Sequence, residues 1–549
     1  MNKLNTIWLF LAALSAANAT GPAPTVEAVK LSQHVRILSS DAFEGRAPGT
    51  AGEAKTIAYP VEQYRKLGLR PGAAGGSWTQ EVPLRRIEIV GSPTSSFATL
   101  AGTRSLAEGR DIVVNTHSAT DKVSVQNAPL VFTGFGIDAP ERGWDDFKGY
   151  DLRGKIAVVL LNDPDFEMAP SNPLFGRFDG KALTYYGRWT YKLEEAARRG
   201  AVGVLFVHED AAATYGWNTL ANSEATTQYA LGKPGTPDKD PLVRGFVTHD
   251  VAVAMLKAAG MDFAVEKARA QSDAFRPEEL KGVTFSTTFA VRTSVVTSHN
   301  VTAKLTGSQW PQDAVIYGAH WDHLGLGPAD SRGDRIYNGA LDNASGVASL
   351  LELARLFAAA PRPRRSIYFI DFTAEEQGLL GSEYYAGHPA TPIATTVAVL
   401  NIDGANLKGA ARDISSRGDS PLIPYLTAAA HRNGRRFTRD QAGSEGYFFR
   451  GDQFSFAKAG VPGLGYASGL DLVKGGVDAG RAWVRDYVAH RYHQPSDQWS
   501  AAMNFDGAVV DTKIYYDLGR SLASSRVWPN WDARSPFRTQ RDRTAGMRR

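Results

Sequence analysis

Three apolar runs in the second half of the chain, DAVIYGA (313–319), RSIYFIDF (365–372) and TTVAVLNID (395–403), show no alternation of apolar and polar positions. Runs of this kind fit strands buried on both faces of a parallel sheet. Between the first two lies ASGVASLLELARLFAAA (344–360), apolar at helical spacing, and from about Val291 onward the rhythm of strand, loop and helix repeats. The pattern predicts an α/β fold with a mostly parallel sheet sandwiched by helices, and ligands of such sheets bind at the carboxyl ends of the strands. Nearer the start, VEAVKLSQHVRILSS (26–40) and TIAYPVEQYRKLGLRPG (56–72) predict two helices. From about Ser77 to Asp138, β-branched runs such as RRIEIVG and APLVFTGFGI alternate with Gly, Ser and Asn, which predicts small antiparallel strands.

The stretch that follows couples the strand GKIAVVLL to the helix KLEEAARRG, closed by Gly200, and to a second strand AVGVLFV. This β-α-β unit resembles the protease-associated domain, and the resemblance extends over 100–282 if the flanking strands belong to it. An unspecialised α/β lobe fits the same pattern. The expected division is a signal peptide (1–19), the N-terminal part of a catalytic domain (20–99), a β-rich inserted protease-associated domain (100–282), the main catalytic part (283–525) and a basic tail (526–549).

At 549 residues and 43% hydrophobic, the chain is too long for one ordinary core and too apolar to be disordered. Its start, MNKLNTIWLFLAALSAANAT, reads as a cleaved secretory signal ending at Ala19. No later segment has the ~20 apolar residues of a membrane span, so the expected location is periplasmic or extracellular. With no cysteine, thiolate is removed from any list of metal ligands. The net charge is +4, but residues 534–549 hold six Arg against one Asp, which leaves the rest near −1. That balance argues against a nucleic-acid groove, and the tail itself reads either as a solvated terminus or, through Trp528 and Trp531, as packed back onto the catalytic domain.

Candidate chemistry gathers where the apolar runs stop. The first runs into His320-Trp321-Asp322, where an extended backbone lets the imidazole and the carboxylate share a face; a structural pair fits equally. The third ends at Asp403, a carboxylate costly to bury without a partner. Asp342 precedes a helix with a small-residue first turn, either as an N-cap or aimed at the strand ends. The middle run ends in Glu375 and Glu376. Neighbours leaving a strand diverge, so one can hold a metal while the other serves as a base toward water; an acidic turn opening a helix is the alternative. RYHQPSDQW adds His493 in a polar loop, with His490 a competitor and Tyr492 a possible oxyanion donor.

Together, His320-x-Asp322, Asp342 in LDNASG, Glu375-Glu376 in AEEQGLLGS, Asp403 in NIDG and His493 in YHQPSD resemble the co-catalytic di-zinc aminopeptidases of peptidase clan MH, among them the secreted bacterial leucyl-type enzymes. The resemblance covers roughly 25–95 and 285–525. It implies two Zn²⁺ per chain, with Mn²⁺ or Co²⁺ as alternatives. Asp342 would bridge the ions, His320 and Asp403 would complete one site, and Glu376 and His493 the other. Glu375 would be the general base, Asp322 would orient His320, and Tyr492 would stabilise the tetrahedral intermediate. Asp452, Phe454 and Arg450, in GSEGYFFRGDQFSFAKAGVPGLGY, would border the substrate pocket, and the loop GLGPADSRGDRIY would form a rim.

The expected activity is removal of N-terminal residues from peptides with a free N-terminus. A carboxypeptidase or dipeptidase of the same clan would need a cation for the substrate carboxylate, for which Arg450 and Arg332 are available. A glutaminyl cyclase fits less well, since those relatives lack such an insert. A receptor-like protein that has lost catalysis is disfavoured by the intact six-residue set. The sequence leaves the oligomeric state open.

Overall fold

The computed structural model describes residues 25–232, 240–439, 446–533 and 535–548. The expected signal at 1–19 lies outside them. The two N-terminal helices form as expected, α1 (Ala28–Leu38) and α2 (Ala51–Lys66). The α2 helix begins at Thr50, whose side chain accepts from the Glu53 N–H, the usual way to satisfy an open helix start.

The next stretch departs from expectation. In place of small strands, Thr79–Thr99 forms one strand, β1, of 21 residues. It pairs antiparallel with a 28-residue strand near residue 300, across a register shift between Thr288 and Ala290. Gly91 and Pro93 read as a break, but the long partner carries the ladder past them.

Between those two arms lie β2 (Lys122–Phe132), β3 (Ile156–Leu160), helix α3 (Trp189–Arg198), β4 (Gly203–His208), helix α4 (Trp217–Glu224) and β5 (Val243–Thr248). Strands β2 to β5 are parallel neighbours in chain order. Their core gathers buried residues from Ile87 to Val291, among them Val158, Phe206 and Phe246. The return arm, β6 (Glu278–Leu305), joins this lobe to the next.

Beyond it come β7 (Trp310–His320), helix α5 (Ser345–Ala359), β8 (Arg365–Phe372), helix α6 (Leu380–Gly387), β9 (Thr396–Asn401), β10 (Asp413–Arg417), helix α7 (Ile423–Arg432), β11 (Gly463–Ser468), helix α8 (Gly476–His490) and helix α9 (Asp506–Ala523). The strand order is β10-β11-β9-β7-β8-β6. Strands β7, β8, β9 and β11 are parallel, and β6 and β10 run against them. This is the α/β sheet the apolar runs implied. Every residue of β8 and β9 is buried, which explains why those runs lack alternation. Helices α5 and α9 pack on the sheet through Leu353 and Leu518, with α1 packed against α5, while Tyr385 of α6 and Phe456 cover the other face.

Of the two readings of the tail, the structure has it packed back through Trp531. Trp531 is 4% exposed and its Nε1 donates to the Gly460 carbonyl at 3.1 Å; Arg541 is 2% exposed and donates to the Thr396 carbonyl at 2.9 Å. Trp531 also packs among Phe448, Phe454 and Phe537. Among the described residues no helix is long and apolar enough to cross a membrane. Because Trp531 fills a packed cluster, Trp531→Ala is expected to cost about 3 kcal/mol of stability. Urea denaturation measures this, and an unchanged midpoint would show that the docked tail contributes nothing.

Candidate metal centre

Strand β7 delivers His320 at its last residue, 1% exposed. Its Nδ1 donates to the Asp322 carbonyl at 3.2 Å, which leaves Nε2 turned toward Asp342 Oδ1 at 3.3 Å, Asp403 Oδ1 at 3.4 Å and Glu375 Oε2 at 3.9 Å. Asp322 thus holds His320 through its backbone. Its carboxylate is 3.7 Å from Nδ1 and instead accepts the Glu375 N–H at 3.0 Å and the Glu376 N–H at 3.4 Å. Asp322 therefore touches His320 through its carbonyl and the two glutamates through its carboxylate.

Those glutamates leave β8 through Ala374, whose φ of +51° puts a non-glycine residue in the left-handed region. Local bonds hold that turn: the Leu379 N–H reaches the Glu375 carbonyl at 2.9 Å and the Leu380 N–H the Ala374 carbonyl at 3.0 Å. The two carboxylates separate as expected. Glu375 faces His320, while Glu376 lies 3.1 Å from His493 Nε2 through one oxygen and 2.6 Å from His323 Nδ1 through the other.

Asp342 sits between the two histidine groups, 3.3 Å from His320 and 3.4 Å from His493. Its backbone N–H and that of Leu341 donate to the carboxylate of Asp497 at 3.1 Å, which fixes where Asp342 points. Asn343 ties three elements together. Its amide donates to the carbonyls of His320 and Ile402, and its Oδ1 accepts from Gly346 and Gly404. Gly346 has to be small, because a Cβ there would collide with Asn343 Oδ1 and the Ile402 carbonyl.

Two groups of ligand-type atoms result, His320 with Asp342 and Asp403, and His323 with Asp342 and Glu376; His493 approaches the second group as well. The donor set fits zinc. The Nε2 atoms of His323 and His493 are buried without a hydrogen-bond partner, and four carboxylates crowd two imidazoles. Burial, with Asp403, Glu376 and Asp452 nearby, pushes the Glu375 carboxyl well above its usual range despite His320. A cation here is what would return it to the ionised form that a base requires. Burial would also raise Glu376, but His493 and His323 outweigh burial and the neighbouring Asp342 and bring it down to about 2.

His323, Arg417 and Ser223 were not singled out from the sequence. His323 lies in the same HWDH run as His320, a pair of imidazoles three positions apart. Arg417 donates to Asp403 Oδ2 at 2.9 Å and to its carbonyl at 2.6 Å. Ser223 comes from α4, and no local signal marks it.

A cavity of about 1170 Å³ opens over the strand ends, lined by Arg188, Leu220 and Ser223 from one lobe and by Asp342, Glu375 and His493 from the other. Tyr492, Arg450 and Phe454 line it too. Asp452 does not: it is 0% exposed, and substrate contact is replaced by a place behind the Glu375 turn. Arg332 is exposed, paired to Asp330 at 2.8 Å and outside the cavity.

Residues 300–511 match the model of peptidase family M28. The match covers under half of the chain. The M28 segment contains every residue expected above to hold a metal or act as base. A probable zinc metalloprotease of Pyrenophora teres f. teres (strain 0-1) is 42% identical over 103 residues, 19% of this chain and 22% of that protein. Aminopeptidase YwaD of Bacillus subtilis (strain 168) is 28% identical over 410 residues, 71% of this chain and 68% of that one. The chain spans under a quarter of the length of the first curated relatives it matches. An aminopeptidase from Aneurinibacillus sp. strain AM-1 shares the fold, with a TM-score of 0.53 at 20% identity over 92% of this chain and 97% of that one.

Metal binding at this centre would displace protons. Burial would lower His493, but Glu376 and Asp342 raise it to about 10, and Glu375 with its neighbours raises His320 well above its ordinary value. Both rings therefore carry an extra proton at neutral pH in the metal-free protein, so zinc affinity should rise with pH between about 6 and 8. Titration calorimetry in two buffers of different ionisation heat is expected to show proton release; identical heats would contradict it.

Proposed function

We propose that the chain is a zinc metallopeptidase that removes N-terminal residues from peptides, with two metal positions and Glu375 as general base. The observation that carries this is Asp342, set between two histidine-carboxylate groups with an unshared Glu375 beside them. His320, Asp342 and Asp403 would hold one ion, and Asp342, Glu376 and His493 the other. Zinc at these positions supplies Lewis acidity toward the scissile carbonyl and toward water.

The chain's own residues do the rest. Glu375 accepts a proton from water as the water oxygen attacks the carbonyl carbon, then returns it to the amide nitrogen as the C–N bond breaks. Tyr492, beside His493 and on the cavity wall, is placed to donate to the oxygen that becomes negative. The acidic cluster presents negative charge to the α-ammonium group of a peptide. An exported location rests on the N-terminal signal pattern.

A second reading draws support from two guanidiniums. Arg188 and Arg450 both line the cavity, and both have a buried Nε without a partner. Burial and the neighbouring Arg450 bring Arg188 down to about 9, so it stays cationic at neutral pH. Such a pair suits a substrate carboxylate, as a carboxypeptidase or dipeptidase requires.

The zinc-loaded protein and its Glu375→Ala variant, given peptides with free or acetylated N-termini and free or amidated C-termini, separate the two. Mass spectrometry is expected to show stepwise loss from free N-termini, falling at least 1000-fold in the variant. Trimming that requires a free C-terminus would favour the second reading, and no cleavage with zinc bound would overturn both.

A further inference from the structure

The M28 segment does not contain all the side chains that touch its own candidate ligands. His493, in the loop after α8, points Nε2 at Glu376 Oε2 and Asp342 Oδ2, at 3.1 and 3.4 Å. Its other ring nitrogen, Nδ1, lies 2.7 Å from Ser223 Oγ, on the last turn of α4 in the other lobe and 270 positions away in sequence.

The direction of that bond follows from the serine's surroundings. Ser223 Oγ is 3.0 Å from the Thr219 carbonyl, one turn earlier in the same helix. A carbonyl only accepts, so the single hydroxyl hydrogen goes to Thr219, and what Ser223 offers His493 is a lone pair. His493 Nδ1 must therefore carry a hydrogen. Of the two ring protons, the one on Nδ1 is held, and the one on Nε2 is the one a cation displaces.

The helix end that carries Ser223 is itself fastened. Thr226 Oγ1 and Gln228 Nε2 donate to the Ser223 carbonyl at 2.7 and 3.1 Å, and Asn222 reaches the His493 carbonyl at 3.5 Å. His323, the competing imidazole, makes a different bond: its Nδ1 lies 2.6 Å from Glu376 Oε1, the spacing of a direct hydrogen bond.

We infer that Ser223 is a positioning residue of the metal centre: it fixes the Nδ1–H form of His493, selects His493 over His323 as the second imidazole ligand, and makes the inserted lobe part of the site. This rests on the two-metal reading above. The lobe is then a structural component of one metal position, in addition to forming a wall of the cavity.

The test uses the full chain, wild type and with Ser223→Ala or Ser223→Thr, with zinc as the probe. Chelator competition with metal analysis is expected to give two sites in wild type, one weakened 10- to 100-fold by Ser223→Ala while the other is unchanged, and restoration by Ser223→Thr, whose hydroxyl can accept the same bond. Two sites of unchanged affinity in the alanine variant would overturn the inference and leave the two-metal reading standing. A wild-type protein without a second zinc site would overturn both. Nitrogen-15 histidine spectra of the zinc-loaded wild type test the same point without a variant: a protonated Nδ1 on His493 is expected, and a protonated Nε2 would refute it.

Discussion

Asp342 carries its carboxylate between two imidazoles, and much of the surrounding sequence serves to hold that one charge in place. Asp497 takes the backbone N–H groups of Leu341 and Asp342, so the aspartate cannot rotate away with its chain. Asn343 fastens the ends of β7 and β9 to the start of α5. Beneath them, Arg46 is 1% exposed and donates to four carbonyls, those of Leu38, Trp321, Asn338 and Gly339. Burial brings this arginine down to about 10, with Asp322 and Asp342 opposing the shift, so the floor of the site keeps a positive charge under the carboxylates. Each of these bonds replaces water that the site has excluded, and losing one would leave a buried polar group unpaired.

The same crowding divides the labour between neighbours. Glu375 and Glu376 differ by one position in sequence, yet burial and nearby acids drive one upward while two imidazoles draw the other down. The left-handed turn at Ala374 makes that separation possible, and the carboxylate of Asp322 accepts the N–H groups of both glutamates. A pair of like residues becomes a pair of electrostatically unlike carboxyls because the backbone aims them into different fields.

The sheet and most of the centre were legible in the sequence because strands buried on both faces appear as unbroken apolar runs and polar residues at their ends stand out. His320, Glu375, Glu376 and Asp403 follow from that contrast, whereas Asp342, ahead of a helix, and His493, in a polar loop, were tied to the site by the family resemblance. His323 was passed over because His320 already accounted for the run. Asp452 was placed at the pocket by the resemblance of its segment to the family, whereas the fold buries it. Ser223, Arg188 and Arg417 carry no local signature, and only the tertiary fold brings them to the strand ends. The long arm β1 was read as small strands since Gly and Ser interrupt its apolar runs, and pairing across some two hundred residues outweighs local preference.

That pairing governs the order in which the molecule can assemble. Thr79 meets Val301 and Ala98 meets Thr284, so neither arm finds its partner until the whole intervening lobe has been synthesised. Closing so long a loop is entropically costly and slow compared with helix formation, and it precedes docking of Ser223 against His493. A nascent chain therefore passes through most of its synthesis with the acidic cluster unassembled, and the centre arises only at the end, as a property of the completed molecule.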